Sequence, residues 1–415
     1  MKCLHIMTLN SGVVNPVFVE YINTFFTSTD HEFIYLHKES YELSKKFPNT
    51  QLCENFMSGK LKTFKKYQMD FDYIFFHSLD KDKIIYLNKK ICKKIIWCVW
   101  GGDLYSIDLF EIDPQWNLYK KFKRIIIRLF LILQLERVFL RIRTTNSRIK
   151  SFHSIMTGFT YDWRAFLRTT NSRIKSFHSI MTGFTQDSVE IRRLYGNKIK
   201  IVDAYYLPDA INVKILNKIK DSAFKLTDNI NNNPIKIMIG NRASDFLNHE
   251  HWLRELAKYK QENIIISLVL NHSGSKEYID KIEKMAIEIF GKKIEILKNI
   301  LPIEDYCAYL ASVDICIIDC KRQAAVGNIL MLLYYGKKVF LNPDGVLYKG
   351  LITECEIFKT TDIYTMEYGE FIDKNYDGSR GIRYVNWFVD EERIKKNWES
   401  FFDILENNLK NNSNS

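Results

Sequence analysis

Four short stretches of the chain hold residues able to do chemistry. "VWGGDLY" (99–105) runs from apolar residues into Gly101 and Gly102, which let a backbone turn sharply and approach a ligand, and then into Asp103. A carboxylate there can take a proton from an attacking hydroxyl, or it can cap the turn that follows. "HSLD" (77–80) offers His77 as a second candidate base, or as a hydrogen-bonded structural group. "GNRASDFLNH" (240–249) follows an apolar run and opens a helical one, an arrangement in which backbone amides and the helix dipole hold phosphate. "CKRQAAVGN" (320–328) puts Arg322 and Gln323 before a helical stretch, with Gly327 and Asn328 near its start. The Arg322 guanidinium can fork onto phosphate oxygens or make a structural ion pair.

The elements that must position these residues alternate in type. "KCLHIMTL" (2–9), "HEFIYLHK" (31–38), "FDYIFFHS" (71–78) and "KKIIWCVW" (93–100) read as strands, with helices at 16–26 and 80–92. After a polar linker at 217–234 the pattern restarts. "IKIMIG" (235–240), "NIIISLVL" (263–270), "KKIEIL" (292–297), "VDICIID" (313–319) and "KKVFLN" (337–342) are strand-like, and helices are expected at 249–260, 275–290, 303–311 and 328–335. A final helix begins near 389 and ends in a disordered "NNSNS". Such alternation implies parallel sheets with helical crossovers, whose ligands bind beyond the carboxyl ends of the strands. All four stretches lie at such ends. The domains expected are 1–216 and 235–415, each α/β, facing a cleft.

Composition narrows the function. The chain has 415 residues, 46% of them hydrophobic, enough for two buried cores. Its eight cysteines form no Cys-x-x-Cys pair and no zinc spacing, and no signal peptide is legible, so reduced cytoplasmic thiols are expected. Walker A, G-x-G-x-x-G, H-E-x-x-H and G-x-S-x-G are absent. Asp70-Phe71-Asp72 leads into a strand and Asp80-Lys81-Asp82 opens a helix, whereas a metal site would want carboxylates at a strand's carboxyl end; no metal and no cofactor are expected.

The net charge of +11 calls for an anionic partner. "RTTNSRIKSFHSIMTGFT" occurs at 143–160 and again, identically, at 168–185; a single perfect copy is a recent duplication rather than a solenoid, and the extra unit, 143–167, supplies +3 of the charge. "KKFKRIIIRLFLILQLERVFLRIR" (120–143) holds a local +7. Arg128, Gln134, Glu136 and Arg137 interrupt its apolar run, so it reads as a helix lying in the headgroup layer of an anionic membrane, or as a core helix with snorkelling arginines.

Together, "VWGGDLY", "GN…NH" and "RQAAVGNI…LLYYGKKVFL" resemble the bacterial family of TDP-4-acetamido-4,6-dideoxygalactose:lipid II transferases, glycosyltransferase family 56, over about residues 1–385 apart from the duplicated unit. The resemblance implies a GT-B fold, two Rossmann-like domains around a cleft, with metal-independent transfer from a TDP-sugar. It also implies an undecaprenyl-diphosphate-linked acceptor, as in enterobacterial common antigen or O-antigen synthesis, and peripheral attachment to the cytoplasmic face of the inner membrane. By match, Trp100, Gly101, Asp103 and Tyr105 fall on the first motif, beside Gly102 on the acceptor side. Gly240, Asn241, Asn248 and His249 fall on the second, and Arg322, Gln323, Gly327 and Asn328 on the third, both on the donor side. Gly102 stands where alanine is usual, and Arg242 where a small residue is usual. The competing reading is a non-catalytic protein of the same fold that binds a nucleotide-sugar or nucleic acid; the transferase reading takes no nucleic acid.

Overall fold

The computed structural model describes residues 1–7, 14–53, 70–79, 89–99, 104, 172–203, 216–219, 233–373 and 375–413. Seven strands build the first sheet: β1 (Lys2–Met7), β2 (Asp30–Tyr35), β3 (Thr50–Leu52), β4 (Tyr73–His77), β5 (Ile95–Cys98), β6 (Ser179–Met181) and β7 (Ile201–Val202). Their order is β3-β2-β1-β4-β5-β6-β7 and every pairing is parallel. The second sheet has β8 (Ile235–Ile239), β9 (Ile264–Val269), β10 (Ile294–Leu297), β11 (Ile315–Ile318), β12 (Lys338–Leu341) and β13 (Phe358–Lys359), in the order β10-β9-β8-β11-β12-β13, again all parallel. Central strands such as β4 and β5 are buried along their whole length, as strands covered by helices on both faces must be.

The two-domain parallel architecture expected from the sequence is present. In each sheet the winding reverses once, between β1 and β4 in the first and between β8 and β11 in the second. A crevice opens where neighbouring crossovers leave in opposite directions, and ligands use it. Gly240–Arg242 follows β8 and Asp319–Gln323 follows β11, so two of the sequence-predicted loops flank the second reversal.

The final helix departs from the expected plan. Glu391–Ser413 follows the second domain in sequence, and was grouped with it, yet packs on the first sheet. Ile394, Trp398, Phe401, Phe402 and Leu405 lie on one face at helical spacing and join Phe18, Phe26, Phe33 and Phe75 in a single buried cluster. The Tyr73 hydroxyl donates to the Leu405 carbonyl at 3.1 Å. Periodicity revealed the apolar stripe but could not say which sheet it would cover.

Shorter differences have local causes. The 249–260 helix splits into an α-helix, His249–Glu255, and a 3-10 turn, Leu256–Tyr259. The helix expected at 328–335 starts earlier, at Val326. β6 was not foreseen; it comes from the second copy of the duplicated stretch and pairs on both edges, with β5 and β7. Residues 143–167, the basic segment 120–143 and most of the 217–234 linker lie outside the described residues. All eight cysteines are free thiols. Among the described residues no helix is long and apolar enough to cross a membrane.

Candidate functional site

At the reversal in the second sheet the chain turns abruptly. Gly240 has φ +69°, and a Cβ there would collide with His249 Nε2, so glycine is required by conformation and by space. His249 is fully buried; its Nδ1 lies 2.9 Å from the Tyr278 hydroxyl, which donates to the Ser244 carbonyl at 3.2 Å. Burial pushes its pKa down to about 4, which keeps the ring neutral. His249 therefore props the loop from beneath, a supporting position rather than the ligand-facing one expected from the sequence.

Asp319, just past β11, ties the loops together. One oxygen accepts from the Asn248 side-chain amide at 2.8 Å; the other accepts from Asn342 at 2.6 Å and from the Thr360 hydroxyl at 3.3 Å. Asn248 has φ +54°, a left-handed conformation that asparagine tolerates better than most residues. Three loops, after β8, β12 and β13, are thus fastened to one carboxylate. Asp319 was not singled out from the sequence; its one signal is an acidic residue directly after an all-apolar strand.

Above this support sits a cationic stack. The Arg322 guanidinium lies 3.8 Å from the Phe246 ring centre and that of Arg242 lies 4.9 Å from it. Burial and then the like charge of Arg322 lower the Arg242 pKa. Asn241 Oδ1 and Arg242 Nε are buried without a hydrogen-bond partner among the described residues. The helix Val326–Tyr334 begins beside Arg322, and its N-cap residue, Ala325 at φ +61°, offers no side-chain cap. The unpaired Arg242 N–H, the two guanidinium groups and the first-turn N–H groups suit a multiply charged anion.

The remaining donor-side residues divide in role. Gln323 reaches out of the second domain, its Nε2 lying 3.4 Å from Oδ2 of Asp187, on the helix Thr185–Tyr195 of the first. Asp187 also accepts from Thr182 at 3.1 Å, so Gln323 joins a fixed interdomain contact. Asn328 donates to the Tyr306 hydroxyl at 2.7 Å, and Gly327 lies in the first turn of its helix.

On the first sheet, His77 is only 3% exposed. It belongs to a chain of three imidazoles: His5 Nδ1 lies 3.0 Å from His77 Nε2, and His5 Nε2 lies 3.0 Å from His31 Nδ1. His5 is stacked between Phe33 and Phe75. His31 Nε2 has no partner among the described residues, so it is best left as a bare lone pair; His31 Nδ1 then donates to His5, and His5 to His77. Burial lowers His77 to about 3 and His31 to about 4, and holds His5 well below the ordinary range. This position corrects the reading of His77 as a competing base: it is packed beneath Phe18, away from any open surface. Asp103, Trp100, Gly101, Gly102 and Tyr105 lie outside the described residues. Asp72 takes the Lys2 backbone N–H at 2.8 Å at the amino end of the sheet.

Comparison with known proteins agrees with this fold. Residues 189–362 match the family described as 4-alpha-L-fucosyltransferase glycosyl transferase group 56, a span holding the loops after β8 and β11. A glycosyltransferase from Rickettsia africae is 16% identical, with a TM-score of 0.56, covering 98% of this chain and 99% of its own. Anabaena HepE in complex with UDP-glucose is 10% identical, TM-score 0.60, over 97% and 100%. WaaG, a glycosyltransferase involved in lipopolysaccharide biosynthesis, is 11% identical, TM-score 0.51, over 98% and 99%. At these identities the structures establish the fold, which is GT-B. The family match makes the chain a glycosyltransferase, as the resemblance in its loops implied.

Proposed function

We propose that the enzyme moves a deoxyaminosugar, 4-acetamido-4,6-dideoxygalactose or a close relative, from a TDP donor to an undecaprenyl-diphosphate-linked saccharide. The observation that carries the reading is the Arg242–Phe246–Arg322 stack at the reversal of the second sheet. A diphosphate offsets the repulsion between the two guanidinium groups, and the Val326–Tyr334 helix start adds N–H donors to it. As the bond from sugar to phosphate breaks, the leaving diphosphate gains charge, and fixed cations stabilise that charge most where water is excluded. The acceptor oxygen forms the new bond to the sugar carbon, and its proton passes to Asp103, the candidate base. Arg242 replaces a small residue of the related pattern, which supports a donor contact particular to this chain. The basic segment 120–143 supports a peripheral site on an anionic membrane, at its cytoplasmic face, where a lipid-linked acceptor lies.

The test is release of TDP when the protein is incubated with TDP-sugar and bacterial membrane extract. Arg322→Ala weakens TDP binding by about 1.5–3 kcal/mol in calorimetry, and Asp103→Asn lowers turnover about 10²–10⁴-fold with TDP affinity unchanged. Binding without release across a panel of donors and acceptors would favour the non-catalytic reading.

A further inference from the structure

A cavity of about 630 Å³ lies between the two domains and shares no lining residue with the arginine stack. One wall is the helix Ser379–Phe388, which has two distinct faces. Gly381, Val385 and Phe388 are buried, and a Cβ on Gly381 would come within 3.0 Å of Leu333, so this face is pressed onto the core. Arg380, Arg383, Tyr384 and Trp387, spaced i, i+3, i+4 and i+7, instead line the cavity. The opposite wall brings Asp203 from the end of β7 and Ser188 from the first domain, with Glu354 on the second.

Two features of this lining point to a ligand. Trp387 is 53% exposed in a concave site, with Tyr384 at 5.9 Å between ring centres and the Arg393 guanidinium 4.2 Å over its ring. An apolar plate of that size left in water gives up burial that the same helix achieves on its other face. The charges are also mixed: Arg380, Arg383 and Arg393 meet Asp203 and Glu354, with Arg393 3.8 Å from Asp203, unlike the like-charged pair at Arg242 and Arg322. A diphosphate gains less from a mixed set, in which carboxylates offset most of the positive charge. A sugar ring gains from it on both counts, its C–H face on the tryptophan and its neighbouring hydroxyls on guanidinium and carboxylate groups, which offer paired donors and acceptors.

We propose that this cavity is a saccharide-binding site, separate from the diphosphate site, that holds uncharged sugar rings of a glycan. Its role as a grip on the acceptor or product glycan rests on the glycosyltransferase reading; the binding itself does not. Both domains contribute to it, and they already touch nearby, through Phe184 and Phe388 at 5.4 Å and through Gly350, whose Cβ would meet Gln186 at 3.4 Å. A ligand there bridges the domains.

Saturation-transfer NMR on the full chain, with N,N′-diacetylchitobiose and maltose as sugar probes and TDP as the anionic probe, tests the assignment. The expected result is saturation of sugar protons in the wild type, with affinity about tenfold weaker in Trp387→Ala and in Arg383→Ala and unchanged in Arg322→Ala. TDP contacts show the reverse pattern. Trp387 and Arg383 are exposed, and melting curves check that each variant is folded. No sugar saturation in the wild type overturns the proposal, as does a sugar signal that survives both cavity variants or disappears in Arg322→Ala. Loss of TDP turnover with sugar binding intact would instead count against the transferase reading alone.

Discussion

Each sheet buries a polar centre at its middle, and the two behave differently. In the first sheet His5, His31 and His77 are roofed by Phe18 and by Trp398 and Phe402 of the final helix. In the second, Asp319 sits just past its strand, with loops above it in place of a helix. The imidazoles are driven neutral and serve packing; the carboxylate gathers three loops around a cationic stack. A polar residue near the end of a central strand is therefore not enough to mark a site. What covers it decides, and cover comes from distant parts of the chain.

The contrast can be broken at either end. Asp319→Ala should have the largest effect, because it leaves Asn248, Asn342 and Thr360 donors without their common acceptor: a stability loss of about 3 kcal/mol and a weaker grip on TDP, read by denaturant titration and calorimetry. Unchanged TDP affinity in the folded variant would reduce the carboxylate to a packing role like that of the histidines.

The histidine chain should announce itself through pH. His31 and His77 have folded values of about 4 and about 3, below the ordinary 6.5, so the unfolded chain binds more protons across that interval. Stability is complete above about pH 6.5 and falls as pH drops toward 4, with His249 and His178, also near 4, adding to the slope. His5→Phe, placed between Phe33 and Phe75, keeps the ring packing but takes a partner from His31 and from His77, so it should cost about 1–2 kcal/mol at pH 8 and should make the acid limb shallower. An unaltered limb would show that the three rings do not titrate as a unit.

The smallest effect is expected from deleting residues 143–167. Arg168 then follows Ile142 in place of Arg143, the sequence that supplies β6 is retained, and stability should change by no more than about 0.5 kcal/mol. Failure to fold would show that the first sheet needs both copies.

The alternation of apolar strands and amphipathic helices made both sheets legible, because strands buried on two faces read as continuous runs, as "IIWC" and "ICII" do. β3, β7 and β13 escaped because two or three residues carry no period. At the site, Gly240, Asn248 and Arg322 stood out by type at strand ends. Gln323 and His249 did too, but their actual contacts, an interdomain bond and a buried prop, depend on partners 136 and 29 residues away. Phe246 and Asp319 gave little warning, since a phenylalanine and a lone aspartate usually mean core and cap.

The Glu391–Ser413 helix carries one more implication, for anyone who would recombine this enzyme with its relatives. It is joined by the chain to the second domain and by its buried face to the first, where Trp398 and Phe401 are each 1% exposed. A gene cut at the linker would give a first fragment lacking its roof and a second ending in an uncovered aromatic stripe. Exchange of the second domain between such enzymes is thus easiest as an internal cassette that leaves both ends of the gene with one parent.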